Sequence, residues 1–450
     1  MSVLGFAMTI RKLVVSVTVI GLLVLGGQAT AFATTIQEVV SPGGIKAWLV
    51  EEKSIPILNL DVIWSGGGSI VPAQKAGLAN LLAATMDEGA GDLGSRAYQK
   101  ILADLSISLG FSAGKDTFRG SFKTLSENRD EAFRLFALAI KSPRFDAEPV
   151  QRIKGQILVS LNRRLADPGS MGSKAWFELA FKGHPYAIPT DGEIETVKAL
   201  TSDDLRDLKA RQIARNNMVV SVVGDITAKE LGVYLDKTFL DLPAKADFKL
   251  PPEAARIEGP ALKIIEMDIP QSTVMFGGNG VKRDDPDYYA AYVLNYILGG
   301  GGFESRLTQE IREKRGLVYS VYTYLSPFEL AGVHLGGLGT SNASTGQAID
   351  LVKAELAKIR SEGVSQEELE AAKTYLNGSF SLRLSSNARI AKILASMQFS
   401  RLPISYLDER AGLINAVTLD DIKRVAQRLM DPEKLIITVV GKPEGLKSTE

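Results

Sequence analysis

The 450-residue chain predicts an α+β protein of two homologous domains, each a mainly antiparallel β-sheet with helices packed on it. Three observations carry this prediction. A long-range repeat divides the chain, strand-like and helix-like patterning alternates within each half, and a proline-rich break lies between the halves.

In the repeat, Thr201-Ser202-Asp203-Asp204-Leu205 opens a stretch that closes on Val219-Val220-Ser221-Val222-Val223-Gly224. Thr418-Leu419-Asp420-Asp421-Ile422 opens a second that closes on Ile436-Ile437-Thr438-Val439-Val440-Gly441. Thr201 and Thr418 are 217 positions apart, as are Gly224 and Gly441, so the copies align without a gap. Each reads as a helix capped by Thr or Ser, with acidic residues in its first turn, followed by a buried strand.

Within the first half, residues 36–40 and 45–51 flank Pro42-Gly43-Gly44 and predict a hairpin. Leu58, Leu60, Val62 and Trp64 alternate with Asn59, Asp61 and Ile63, the period of a half-buried strand. Gly66-Gly67-Gly68 ends it. Helical patterning follows over 77–88, 130–141 and 148–165. The second half repeats the plan with a strand over 272–276, a turn at Asp284-Asp285-Pro286-Asp287 and a helix over 288–298, where Asp followed by Pro suits a helix start. Pro243, Pro251, Pro252, Gly259 and Pro260 break any regular element over 242–260, which reads as a linker between domains spanning 34–241 and 261–450.

Composition excludes several function classes. The 52 basic and 52 acidic side chains balance, so no broad field favours nucleic acid or an anionic membrane. With no cysteine, disulfides, thiolate nucleophiles and cysteine-ligated zinc are all ruled out. His184 and His334 are the two histidines. At the N-terminus, Arg11 and Lys12 precede an uncharged run from Leu13 to Leu25, and Ala31-Phe32-Ala33 supplies a small-x-small cleavage pattern. Residues 1–33 therefore read as a secretory signal, with the mature chain beginning at Thr34 and holding no stable membrane anchor. The apolar run falls short of the roughly 20 residues of a membrane span, and an uncleaved anchor is the alternative.

Ser65-Gly66-Gly67-Gly68-Ser69 followed by Gly77-Leu78-Ala79-Asn80-Leu81-Leu82-Ala83-Ala84-Thr85-Met86 resembles the signature helix of the pitrilysin/insulinase zinc peptidases. Members of that family carry His-x-x-Glu-His there. Residues four apart share a helix face, so two imidazoles grip one zinc while the Glu activates the bound water. The matching positions in this chain are Asn80, Ala83 and Ala84, which supply neither ligand nor base. The family's third ligand is a Glu in a helix ending in an Arg-Arg-x-x-Asp-Pro-like segment. The matching stretch, Lys154 to Pro168, puts Ser160 or Leu161 at that position, and neither is a useful zinc ligand. His184-Pro185-Tyr186 resembles the family's His-Pro-Tyr loop and reads as a packed structural loop. His334, in an apolar strand-like run, reads as a core histidine.

Positive resemblance lies in the second half. Ile297-Leu298-Gly299-Gly300-Gly301-Gly302-Phe303-Glu304-Ser305-Arg306-Leu307 runs into Glu310-Ile311-Arg312-Glu313-Lys314-Arg315-Gly316-Leu317-Val318-Tyr319-Ser320. This is similar to the family's segment in which an Arg and a Tyr seven apart reach substrate at the zinc of another domain. The resemblance implies those roles for Arg312 and Tyr319, the Arg donating to a peptide carbonyl and the Tyr hydroxyl to a developing oxyanion. The glycine run reads as a tight turn. No Gly-Lys-Ser/Thr follows it, which excludes a phosphate-cradling loop. The resemblance adds substrate contact by Gly299, Gly300, Gly301 and Gly302, as in the glycine-rich loop of the non-catalytic subunit of the mitochondrial processing peptidase.

Short bacterial members of the family have two homologous domains and pair into a clam-shell around a closed chamber. The resemblance thus implies a periplasmic, catalytically silent subunit with no metal of its own. It would pair with a homologous zinc-bearing subunit and act with it on peptides taken up by strand addition. Two other readings remain: a peptide-binding or scaffold protein of the same fold, like the family's respiratory-complex core subunits, and an independent enzyme using the carboxylates of Asp87 and Glu88.

Overall fold

A computed structural model describes residues 35–449, so the predicted signal segment lies outside the described residues. The first half builds a six-stranded sheet from β1 (Gln37–Val40), β2 (Lys46–Glu51), β3 (Ile57–Ser65), β6 (Ser108–Ala113), β7 (Thr117–Leu125) and β8 (Met218–Gly224). Its order is β1-β2-β8-β3-β7-β6, and only the β2–β8 pair is parallel. A separate ribbon pairs β4 (Gly89–Ala90) with β5 (Leu93–Gly94). The second half builds a five-stranded sheet from β9 (Ala261–Glu266), β10 (Gln271–Asn279), β11 (Val318–Pro327), β12 (Gly332–Ser341) and β13 (Ile436–Gly441), in the order β11-β12-β10-β13-β9.

The two sheets share one topology. β8 lies parallel to β2 and antiparallel to β3, and β13 lies parallel to β9 and antiparallel to β10. The repeat extends to local detail. Thr201 and Thr418 each form a reciprocal capping box with the Asp three residues on, satisfying otherwise unpaired amides of the first helical turn. Gly224 and Gly441 end their strands at φ of 143° and 147°. A Cβ at Gly224 would lie 2.1 Å from the carbonyl oxygen of Ile57, so both backbone conformation and space require glycine there.

Helices cover each sheet on its repeat-internal side, but the opposite face is covered by a helix from the other half. Helix Pro168–Ala180 lies on β13 and β10. There Trp176 Nε1 donates to the carbonyl of Ile436 at 3.0 Å, and Thr438 Oγ1 donates to that of Gly172 at 2.9 Å. Reciprocally, helix Asn387–Phe399 lies on β3 and β8. Ser221 Oγ donates to the carbonyl of Ala391 at 2.7 Å, and Gln398 Nε2 to that of Val220 at 2.9 Å.

This exchange makes everything from Ile36 onward one compact unit, and it corrects one expectation. The alternation in β3 predicts a half-exposed strand, yet Asn59 and Asp61 are only 3% and 6% exposed. The crossing helix buries the polar face, and Asp61 is paired with Arg119 at 3.1 Å. At the second-half turn, Asp287 occupies the N-cap position of helix Tyr288–Asn295 without a capping hydrogen bond; instead it pairs with Arg424 and Arg428.

Residues 243–260 carry no helix or strand; the stretch is held to the first half at its start, where Ala246 N donates to Asn216 Oδ1 and Asp247 N to the Arg211 carbonyl, both at 2.8 Å, and to the second half farther on. Ala254 N donates to the Leu330 carbonyl at 3.0 Å, and Ile257 N to Asn279 Oδ1 at 2.9 Å. Among the described residues no helix is long and apolar enough to cross a membrane.

Candidate functional site

Helix Leu78–Thr85 follows Gly77, whose φ of 94° turns the chain into it. Leu78, Ala79, Leu81, Leu82 and Ala83 point into the core, while Asn80 and Ala84, one turn apart, are half-buried on a shared face. The helix packs on β6 and on helix Ala147–Arg164, where Ser160 is exposed and Leu161 is buried. Where a metal would need imidazole and carboxylate, this site offers one amide, two methyl groups, a hydroxyl and an isobutyl group. Among the described residues no cluster of three His, Cys, Asp or Glu could hold a metal ion. The chain's own residues therefore do not fit a zinc centre.

Of the neighbouring carboxylates, Glu88 is held in a structural ion pair. Glu88 accepts from Ser95 and, at 2.5 Å, from Arg152. Burial pushes the Asp87 carboxyl up to about 6, with Glu88 adding repulsion. One carboxylate is thus committed to an ion pair that ties down the segment after the helix.

His184 and His334 are structural as well. His184 Nδ1 accepts from the Tyr186 amide at 3.2 Å, and its Nε2 lies 3.0 Å from the Pro252 carbonyl. Tyr186 is fully buried. Its hydroxyl donates to Asp116 Oδ1 at 2.5 Å and accepts from the Leu330 amide at 3.0 Å, which stitches the halves together. His334 is buried against Asn295 Oδ1 at 3.1 Å, and burial lowers its pKa to about 4.

The second half presents a different surface. A π-helical turn, Thr308–Glu313, carries Arg312, and Gly316 at φ 63° turns the chain into β11, an edge strand. The β11–β12 register slips between Val318 and Ser320, leaving Tyr319 unpaired in a β-bulge. The bulge decides where Tyr319 points. Val321 and Thr323 face inward and Tyr322 and Tyr324 outward, so strict alternation would bury Tyr319. With the extra residue, Val318 is buried and Tyr319 is 81% exposed on the outward face.

The Arg312 guanidinium lies 4.7 Å from the centre of the Phe303 ring and 5.9 Å from that of Tyr319. Its nearest carboxylate among the described residues is Glu313, at 3.7 Å. Such exposed contacts between a cation and a ring face contribute about 0.5–1 kcal/mol each. That is enough to orient the group while leaving its in-plane donors free. The structure thus brings Arg312 and Tyr319 together and adds Phe303, which sequence reasoning missed.

The glycine run links the π-helical turn Tyr296–Gly300 to the Arg312 segment. A Cβ on Gly299 would lie 2.6 Å from Thr323 Oγ1, one on Gly300 2.7 Å from Asn295 Nδ2, and one on Gly301 2.8 Å from the Tyr296 carbonyl. Close packing against β11 and the preceding helix accounts for these three, whereas Gly302 is exposed at φ 60°.

On the outward face of the same sheet, a cleft of about 930 Å³ separates Tyr322 and Tyr324 from helix Pro168–Ala180 and residues 187–195. Tyr322 and Tyr324 stack at 6.2 Å. Lys115 donates to the carbonyl of Tyr186 at 2.7 Å, lies 4.7 Å from the Phe177 ring centre, and is lowered to about 8 by burial. Gly336 and Gly337 leave room for aromatic rings, since Cβ atoms there would lie 2.3 Å from Phe276 and 2.8 Å from the Tyr322 hydroxyl.

Comparison with known proteins agrees with this geometry. Residues 199–376 match the family model described as the peptidase M16 inactive domain. The non-peptidase homolog YmxG of Helicobacter pylori is 26% identical over 93% of this chain and 96% of its own length. The uncharacterized zinc protease YmxG of Bacillus subtilis is 25% identical over 72% of this chain and 78% of its own. Among solved structures, a peptidase M16 inactive domain from Pseudomonas fluorescens superposes with a TM-score of 0.84 at 30% identity, covering 92% of this chain and all of that one. Missing zinc ligands, a duplicated fold and these similarities lead to one conclusion: the chain belongs to the M16 peptidase family, as one of its inactive homologues.

Proposed function

We propose that this chain is the non-catalytic, substrate-binding subunit of a heteromeric zinc metallopeptidase, exported to the periplasm. A homologous partner would bring an intact His-x-x-Glu-His and the zinc. One observation carries this reading: the positions of the metal site hold no imidazole or carboxylate, while a β-bulge holds Tyr319 outward beside Arg312. A bulge leaves one residue unpaired in the ladder and re-aims its side chain, here seating Val318 in the core and turning Tyr319 outward. Arg312 would donate to backbone carbonyls of a bound peptide, and the Tyr319 hydroxyl to the oxyanion formed on the scissile carbonyl. The edge strand β11 and the adjoining cleft offer backbone groups and aromatic walls to the rest of an extended peptide.

The test is reconstitution. The chain alone should show no peptidase activity, and mixing it with its zinc-bearing partner should produce activity at a defined stoichiometry. Activity of the partner unaffected by this chain counts against the proposal. It would favour the reading as a peptide-binding scaffold, for which the cleft beside Tyr322 and Tyr324 is the supporting observation.

A further inference from the structure

A second pocket, of about 360 Å³, lies away from the Arg312 surface, between helix Tyr288–Asn295, the crossing helix Asn387–Phe399 and helix Tyr406–Asn415. Four cations line it, Arg283, Arg383, Lys392 and Arg410, and no Asp or Glu does. Half of the remaining lining residues are aromatic. The Arg283 guanidinium lies 4.0 Å from the Tyr288 ring centre and 5.2 Å from that of Tyr406. Arg410, only 6% exposed, lies 4.1 Å from the Phe380 ring centre.

Ring contacts occupy the flat faces of a guanidinium but not its five in-plane donors. Among the described residues Arg283 donates only to the Tyr289 hydroxyl, at 3.0 Å, and Arg410 only to the Leu376 carbonyl, at 3.2 Å. Among the described residues neither has a carboxylate within ion-pair distance, nor do Arg383 and Lys392. Buried cations elsewhere are satisfied, Lys154 by the Lys198 and Leu200 carbonyls and two arginines by carboxylates. Arg306 meets Glu368 at 2.6 Å and Arg119 meets Asp61 at 3.1 Å. Asp61, the acid that senses Lys392, is thus already committed to Arg119.

We propose that this pocket binds a small organic oxyanion, a phosphate or carboxylate on an aromatic or short aliphatic body. The guanidiniums would take the anionic oxygens through charge-assisted hydrogen bonds. The tyrosine rings, with Met397 and Leu402, would pack on the body. Because the crossing helix forms one wall, the ligand would also brace the contact between the two halves.

Calorimetric titration and thermal melts of the full chain with phenyl phosphate, benzoate and phenol test this. The first two should bind and raise Tm, with affinity falling as ionic strength rises, and their ratio distinguishes phosphate from carboxylate. Phenol should not bind. Arg283→Gln and the exposed Lys392→Gln should each weaken binding by about tenfold without unfolding the chain. They keep the proposal testable if Arg410→Gln, at a buried position, fails to fold. Lys174→Gln, in the other cleft, should leave affinity unchanged. No binding of either anion at millimolar concentration, or undiminished binding in the Arg283→Gln/Lys392→Gln double variant, overturns the proposal.

Discussion

Helix Leu78–Thr85 packs against the edge strand of the first sheet, and the segment from Thr308 to Pro327 forms the edge strand of the second, yet the two regions have opposite characters. The first turns nearly every side chain inward and keeps only Asn80 and Ala84 half-accessible. The second uses a π-helical turn, a positive-φ glycine and a β-bulge to hold Arg312 and Tyr319 outward beside Phe303. Loss of a metal site needs no compensation beyond packing, and the first region shows packing alone. Under the proposed function, that irregular backbone is what presents Arg312 and Tyr319 to a bound peptide.

The contrast can be broken by substitution. Ala83 is 3% exposed in the first-half core. Ala83→Glu, which restores the family's catalytic base, should cost about 3 kcal/mol through overpacking and a buried carboxyl, read as a fall in the denaturation midpoint. Asn80→His with Ala84→His should still bind no stoichiometric zinc by elemental analysis, because Ser160 and Leu161 supply no third ligand.

A pH titration sharpens the difference between the halves. The pKa of His334 is depressed in the folded state, so its contribution is fully present above the unfolded value near 6.5. It is lost as pH falls toward about 4. The His334 contribution alone should lower stability by about 2 kcal/mol between about pH 7 and 5, read as the difference between the pH profiles of the parent and of His334→Gln. Asp87 has the opposite sign. Its pKa is raised to about 6, so its contribution is present at low pH and lost as pH rises through that value.

Smaller effects should separate framework from display in the second half. Gly299→Ala would press on Thr323 and should cost about 1–2 kcal/mol. Tyr319→Phe should stay within about 0.5 kcal/mol of the parent, since the side chain is 81% exposed.

Much of this was legible in the sequence, for physical reasons that particular residues illustrate. Capping boxes and strand-ending glycines are local, so the repeat from Thr201 to Gly224 and from Thr418 to Gly441 could be read directly. The missing ligands at Asn80, Ala83 and Ala84 are a matter of residue type and needed no coordinates. Burial of Asn59 and Asp61 was not legible, because the helix that covers them lies more than 300 positions away in the chain. The outward turn of Tyr319 depends on a register slip that period-two reading cannot see. Phe303 carried a signal, an aromatic directly after four glycines, but its partner Arg312 is set by the π-helical turn. The oxyanion pocket joins residues from four separate segments, and only the fold collects them.

The central claim is that this chain lends Arg312 and Tyr319 to chemistry whose metal sits on another chain. Steady-state kinetics of the reconstituted pair with Tyr319→Phe tests it most directly, with pairing checked by size. The account predicts kcat and kcat/KM falling together by about 10²-fold with KM nearly unchanged. Full activity of Tyr319→Phe in an intact pair would contradict it.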